Sequence, residues 1–325
     1  MSQCLVTLLD EKEWIDTLCG ASKYSFFATP RYLNAWARHF SEDGHPRAIK
    51  VISSEGNWRL IAFIELTCSK RLRTRRIVAA PEGGYGVVGV GLMPSNWIEL
   101  ACKKLLTIKV EQIQITTSPN IPDATLETKR FEEHQEHAWI IDLREGLDTW
   151  VNSKLDKRAR RQVKKSQNDG VVTQRHGIEG LNAFYSLYEN AVQANPDRAI
   201  QYPKDFLRDL MCANGPGNAS LYLTYFEEHV IAGGFLVRGG LDALAWIGAM
   251  DRNYASLNAN VNRHLTVARD LVELGADSYN LGAAPGLPDI AEFKRKLGAE
   301  PRLYSTIVAE HPIWKRLRNL QSNFG

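Results

Sequence analysis

No run in the chain approaches the roughly eighteen consecutive apolar residues that a membrane helix requires. The opening stretch MSQCLVTLLDEKEW has no basic segment ahead of an apolar core, so neither a membrane span nor a secretory leader is expected. Cysteine is scarce. Cys4, Cys19, Cys68, Cys102 and Cys212 are dispersed, odd in number and without CxxC spacing, which points to reduced thiols in a cytoplasmic protein and against a structural metal. His134 and His137 straddle a polar loop while His176, His229 and His264 are scattered; with no HExxH spacing, no zinc site is expected. GxSxG and the phosphate-cradling P-loop are both missing, which removes the serine hydrolases and the nucleotide triphosphatases. Neither sign of charge dominates: 40 basic residues against 37 acidic leave a net +3, so any phosphate or nucleic-acid site must come from local clustering.

What the chain does have is enough length, 325 residues, and enough apolar content, 44%, for two domains. The stretch WIDTLCGASKYSFFATPRYLNAWARHF predicts a helix, a turn and a second helix entered at Pro30, with Leu33, Trp36, Ala37 and Phe40 inward. A hairpin follows around SEGN in RAIKVISSEGNWRLIAFIEL. Next come the strand RRIVAA, a glycine-rich bend at Gly83 to Gly86, the helix PSNWIELACKKLL, and the strands EQIQITTS and HAWIIDL. The bend reads as a turn, or as a place where a ligand meets bare backbone.

Residues 219 to 309 carry the strongest pattern. Three strands (SLYLTYF, IAGGFLVR, ALAWIGAM) lead into the helix LNANVNRHLTVARDLVELG, the strand SYNLG, the loop and helix PGLPDIAEFKRKLG, and the strand RLYSTIV. Leu257, Val261, Leu265, Ala268 and Val272 fall at helical spacing, and Gly275 supplies the stop. A strand meander feeding a helix and returning to a strand is an α+β mixed sheet, in which two central strands can splay to admit a ligand.

Between the halves, residues 154 to 165 carry Lys154, Lys157, Arg158, Arg160, Arg161, Lys164 and Lys165 against the single acid Asp156. Two readings stand: a solvated linker helix, or a phosphate-recognition ridge suited to CoA, a nucleotide-sugar or tRNA. The helices LNAFYSLYENAVQ and YPKDFLRDLMC beyond it present apolar stripes that read as core.

The order KRARRQVKKSQNDGVV, an aromatic-rich helix, AGGFLVR, GAMDRNYASLNAN and FKRKLG resembles the FemAB-like branch of the GNAT acyltransferase superfamily, from about residue 150 to 309. ATPRYLNAW and its hairpin are similar to the first domain of the same arrangement. The resemblance implies two tandem GNAT-like α/β domains, 1–148 and 149–325, the second holding the donor. It also implies acyl transfer to a small-molecule, peptide or glycan amine, from acyl-CoA or from aminoacyl-tRNA, with no metal. A GNAT-like module that only binds is the remaining alternative.

By the same resemblance, Phe293 and Lys294 match the Phe-Lys pair beside the acyl donor, with Lys294 stabilising the tetrahedral oxyanion; from the residues alone Lys294 reads as one of a surface run, KRK. Asp251, Arg252 and Asn253, with Asn258 and Asn260, fall where helix N–H groups receive a donor pyrophosphate in that fold. Ser256, Asn258 and Asn260 also read as helix caps. The Q/RxxGxG/A loop of ordinary GNAT enzymes is missing, which keeps aminoacyl-tRNA open as donor. Tyr254 would orient the acceptor or protonate a leaving group, or else anchor the helix start. Asp289, in GAAPGLPD, reads as a cap or as a proton acceptor. Arg158, Arg161 and Lys165 are the expected phosphate contacts.

Overall fold

The computed structural model describes residues 4–81, 83–121, 131–195 and 199–322, with side chains of the last helix to residue 317. The chain divides into two compact units, Met1–Glu136 with Leu303–Gly325 and His137–Arg302.

The first unit begins with β1 (Cys4–Leu9) and α1 (Glu11–Cys19), the latter started by a reciprocal capping box between Asp10 and Glu13. The second helix α2 (Pro30–Phe40) begins where expected, with the Thr29 side chain accepting from the Tyr32 N–H and Pro30 in its first turn. Leu33, Trp36 and Ala37 are buried. The hairpin is β2 (His45–Ser53) and β3 (Trp58–Ser69), followed by β4 (Thr74–Ala79), β5 (Val87–Val90), α3 (Trp97–Leu105), β6 (Val110–Thr116) and β7 (Glu132–Asp142), the last running into the second unit.

In the second unit a short helix, α4 (Gly146–Thr149), runs on into a π-helical turn at Trp150–Lys154. Then come α5 (Lys157–Asn168), β8 (Val172–His176), α6 (Leu181–Gln193) and α7 (Lys204–Cys212). The meander β9 (Asn218–Phe226), β10 (His229–Gly239) and β11 (Asp242–Met250) leads to α8 (Ala259–Glu273), β12 (Ser278–Ala283) and α9 (Pro288–Lys296). The strand order is β7-β12-β11-β10-β9-β8. All neighbours are antiparallel except β11 and β12, which run parallel and share one registered pair, Leu244 with Asn280.

The long helix differs from expectation at its start. Leu257 lies in a 3-10 segment, Arg252–Leu257, and Asn258 takes up a left-handed conformation (φ 55°, ψ 33°) before α8 begins. Asparagine tolerates that region better than most residues. The inward stripe otherwise holds: Val261, Leu265 and Ala268 are buried in a core shared with Tyr222, Leu236, Tyr279 and Trp150. Two polar ties fix the helix, Asn262 Nδ2 to the Val171 carbonyl (3.1 Å) and Tyr222 Oη to Asp270 Oδ2 (2.8 Å).

The chain then returns to the first unit. β13 (Glu300–Glu310) pairs with β6 from Thr306–Thr116 to Glu310–Gln112, and α10 (Pro312–Ser322) ends the described chain. Ile307 and Ala309 of β13 join Ile113, Ile115, Ile61, Phe63 and Trp97 in that unit's core, so its order is β1-β2-β3-β4-β6-β13 with β5 on β3. No helix among the described residues is long and apolar enough to cross a membrane.

Candidate active site

The parallel pair β11 and β12 sets the geometry. After Leu244–Asn280 no further pair is registered between them, although β11 continues to Met250 and β12 to Ala283. Backbone pairing between the two strands ends there, which is where a sheet that admits a ligand would open. On the β12 side, the ladder with β7 shifts register between Asn280 and Ala283, which leaves Leu281 and Gly282 outside the registered pairs. Asn280 Oδ1 accepts from the Gly282 N–H at 2.7 Å and shapes the bend.

Lys294 fills that bend. It lies on α9, is only 8% exposed, and its Nζ donates to the Gly282 carbonyl (3.0 Å) and the Ala283 carbonyl (2.9 Å). An ammonium has three N–H bonds; the third has no partner among the described residues. Lys294 makes no salt bridge, unlike its neighbours Arg295 and Lys296, which both pair with Glu292. Burial pushes its pKa down to about 8. The surface-lysine reading therefore fails for Lys294 and holds for the residues beside it. α9 is clamped at its far end: the Trp150 indole N–H donates to the Leu297 carbonyl at 2.8 Å, and the Asp156 N–H to the Lys296 carbonyl at 3.0 Å.

Phe293 packs its ring 5.9 Å from that of His264 on α8. His264 is buried and held neutral, its pKa far below the ordinary value because of desolvation and the nearby charges of Arg263 and Lys294. Arg263 Nη2 lies 3.4 Å from His264 Nε2, and His264 Nδ1 lies 2.9 Å from Tyr279 Oη. A guanidinium can only donate, so Nε2 is the acceptor and the ring proton sits on Nδ1, facing Tyr279. Composition and periodicity give no sign of this cluster, because VNRHL reads as ordinary helix. Its trace is the glycines Gly234 and Gly248 on β10 and β11, paired across the strands: a Cβ on Gly234 would lie 2.6 Å from Arg263 Nη1.

The expected donor loop is a separate structure at the start of α8. Asp251 caps the 3-10 segment, its carboxylate accepting from the Asn253 N–H at 2.9 Å, and Arg252 and Asn253 are exposed. Neither Asn258 nor Asn260 caps α8. Asn258 Nδ2 donates to the Ser256 carbonyl at 3.0 Å and Asn260 Nδ2 to the Met250 sulfur at 3.3 Å. The first N–H groups of α8 are thus left without a side-chain cap, the condition for meeting an anion. Tyr254 packs its ring 6.2 Å from Phe226, in a cluster with Met250 and Leu257. No hydrogen bond or ring contact joins it to Phe293 or Lys294. Asp289 is exposed and caps nothing.

The basic run forms α5. Asp156, its single acid, is the N-cap, accepting from the Arg158 N–H at 2.7 Å. Ala159, Val163 and Ser166 face inward, and Arg158, Arg161 and Lys165 are exposed. Lys165 is ion-paired with Asp169, whereas the Arg158 and Arg161 side chains make no hydrogen bond or ion pair among the described residues. The Asp156–Lys296 bond brings the first turn of α5 against the last turn of Lys294's helix. Among the described residues no group of three or more His, Cys, Asp or Glu could hold a metal.

Residues 153–295 match the family model described as an acetyltransferase (GNAT) domain. The sequence has no match among curated proteins. Among solved structures it is similar to FemX, with a TM-score of 0.71 at 12% identity, over 93% of this chain and 96% of that one. It is also similar to the C-terminal domain of a protein described as a lysylphosphatidylglycerol synthetase from Agrobacterium fabrum (TM-score 0.54, 13% identity, 87% and 92% covered). L-PGS from Bacillus licheniformis is a third (TM-score 0.50, 13% identity, 88% and 93% covered). Residues 153–295 thus match the model of a GNAT acetyltransferase domain, in a chain whose fold is similar to that of FemX.

Proposed function

We propose that the protein transfers an acyl group from acyl-CoA to an amine by direct attack, with Lys294 as the oxyanion donor. The observation that carries this is Lys294 itself: a buried ammonium tied by two backbone carbonyls where the pairing of β11 and β12 ends, with its third N–H unspent. The amine attacks the thioester carbonyl, the C–N bond forms, and the oxyanion accepts from Lys294. Collapse breaks the C–S bond, and the amine's proton leaves with the thiolate. Phe293, braced on His264, forms the apolar wall beside the acyl chain, and Tyr254 orients the acceptor. Asp251, Arg252, Asn253, Asn258 and Asn260 cradle the donor's pyrophosphate at the uncapped start of α8. Arg158, Arg161 and Lys165 contact phosphate.

The acceptor is a small molecule, a peptide or a glycan amine. We place the protein in the cytoplasm, on its five dispersed cysteines without CxxC spacing, and propose tandem GNAT-like domains at 1–148 and 149–325. Arg158 and Arg161, exposed and without an ion-pair partner among the described residues, favour a second reading, aminoacyl-tRNA as donor. Titration of the protein with acetyl-CoA, longer acyl-CoAs and a charged tRNA pool, followed by melting temperature and calorimetry, tests both. Saturable CoA binding supports the thioester. Binding of charged tRNA alone, weakening steeply with salt, replaces it with the aminoacyl donor. Silence from both leaves a module without turnover.

A further inference from the structure

Arg263 is a cation buried without a counter-ion. It is 7% exposed, its contacts are the Gly233 carbonyl and His264 Nε2, and no carboxylate pairs with it among the described residues. Two of its five N–H donors are thereby used. Burial pulls its pKa below the usual arginine value. Leaving a charge uncompensated in a protein interior is strongly unfavourable. The fold nonetheless makes room for it, with Gly234 and Gly248 lying against the guanidinium.

Gly248 shows where a counter-ion would come from. It is exposed, between buried Ile247 and Ala249, on the part of β11 beyond its registered pair with β12. The Cβ position of Gly248 lies 3.5 Å from Arg263 Nη2 and 3.6 Å from Nη1. Both terminal nitrogens therefore lie close against this bare strand position and almost equally distant from it, so that the fork with which a guanidinium binds a carboxylate or phosphoryl group is turned toward the strand. We propose that Arg263, beneath Gly248, is the binding site for an oxyanion of the ligand, carboxylate or phosphoryl, that enters between β11 and β12. This rests on reading the place where their pairing ends as the ligand's entrance.

The test uses the full chain and two simple probes, sodium pyrophosphate and sodium malonate, each against sodium chloride at matched ionic strength. At least one probe raises the melting temperature saturably, and which one does so tells phosphoryl from carboxylate. The response falls sharply in Arg263→Met and is retained at least in part in the double variant Arg158→Ser, Arg161→Ser, which removes only the α5 phosphate contacts. Gly248→Ala sets a methyl against both terminal nitrogens at an exposed strand position, crowding the oxyanion's approach, and should weaken the probe at least tenfold while leaving the melting temperature of the free protein near wild type. That variant decides the matter if Arg263→Met does not fold. No saturable shift in wild type, or a shift unchanged in Arg263→Met or in Gly248→Ala, overturns the site, as does a shift abolished by the α5 variant alone. Acetyl-CoA is titrated in the same series. Donor binding without a probe response removes Arg263's role and leaves the transferase reading standing; a probe response without donor or transfer does the reverse.

Discussion

Lys294 makes pH a direct reporter on the site. Burial holds its folded pKa near 8, against 10.5 ordinarily. Between those values the unfolded chain keeps a proton that the folded chain has released, so this residue's contribution to stability rises with pH from about 8 to about 10.5. Its chemical contribution runs the other way, because only the protonated form can donate to an oxyanion. The rate constant kcat/KM should therefore fall through an apparent pKa near 8. In Lys294→Met that limb should vanish and the rate drop by roughly 10²–10³, while the folded protein loses its alkaline gain in stability. A pH–rate profile and a pH series of melting curves on both proteins measure this; an unchanged rate in the variant refutes the assignment.

At the scale of elements, the junction between the 3-10 segment and α8 depends on one residue. Asn258 holds a left-handed backbone, which costs an ordinary side chain roughly 1–2 kcal/mol. Asn258→Val should lower stability by about that much and weaken donor binding with it, whereas Asn258→Gly should keep both; chemical denaturation of the two variants separates these outcomes. The same junction shows what could be read from the residues beforehand. Val261, Leu265 and Ala268 announced the helix through spacing, and Gly275 its end. The start was misplaced by two residues, because a left-handed turn stands on backbone angles that the apolar period does not encode. Phe293 and Lys294 stood out only through the family resemblance: in the run FKRK nothing local distinguishes the buried cation from its exposed neighbours. Arg263 was missed altogether, since its signature is a pair of glycines facing each other across two strands, and facing is a property of register.

At the scale of the whole molecule, the parallel contact of β4 with β6 and the return of β13 to β6 make the first unit discontinuous in sequence. Ile307 and Ala309 are among its most buried residues, each 1% exposed. A fragment ending at residue 136 should therefore lack a closed core and expose the β6 edge, giving an aggregating product with a poorly cooperative melt. Adding a peptide of residues 300–311 in trans should restore solubility and sharpen the transition. A fragment that melts cooperatively alone would show β13 to be dispensable.

That late strand also fixes an order of events during synthesis. The first unit leaves the ribosome early but is missing its last strand until all of residues 137–302 have been made. At roughly 5–20 residues per second, this is a wait on the order of ten to thirty seconds. Throughout it β6 presents unpaired backbone, a template for other nascent chains. The second unit, contiguous in sequence, can fold during that interval. The half of the protein made first is then the half completed last, and holdase chaperones would have their best opportunity in the span between the two.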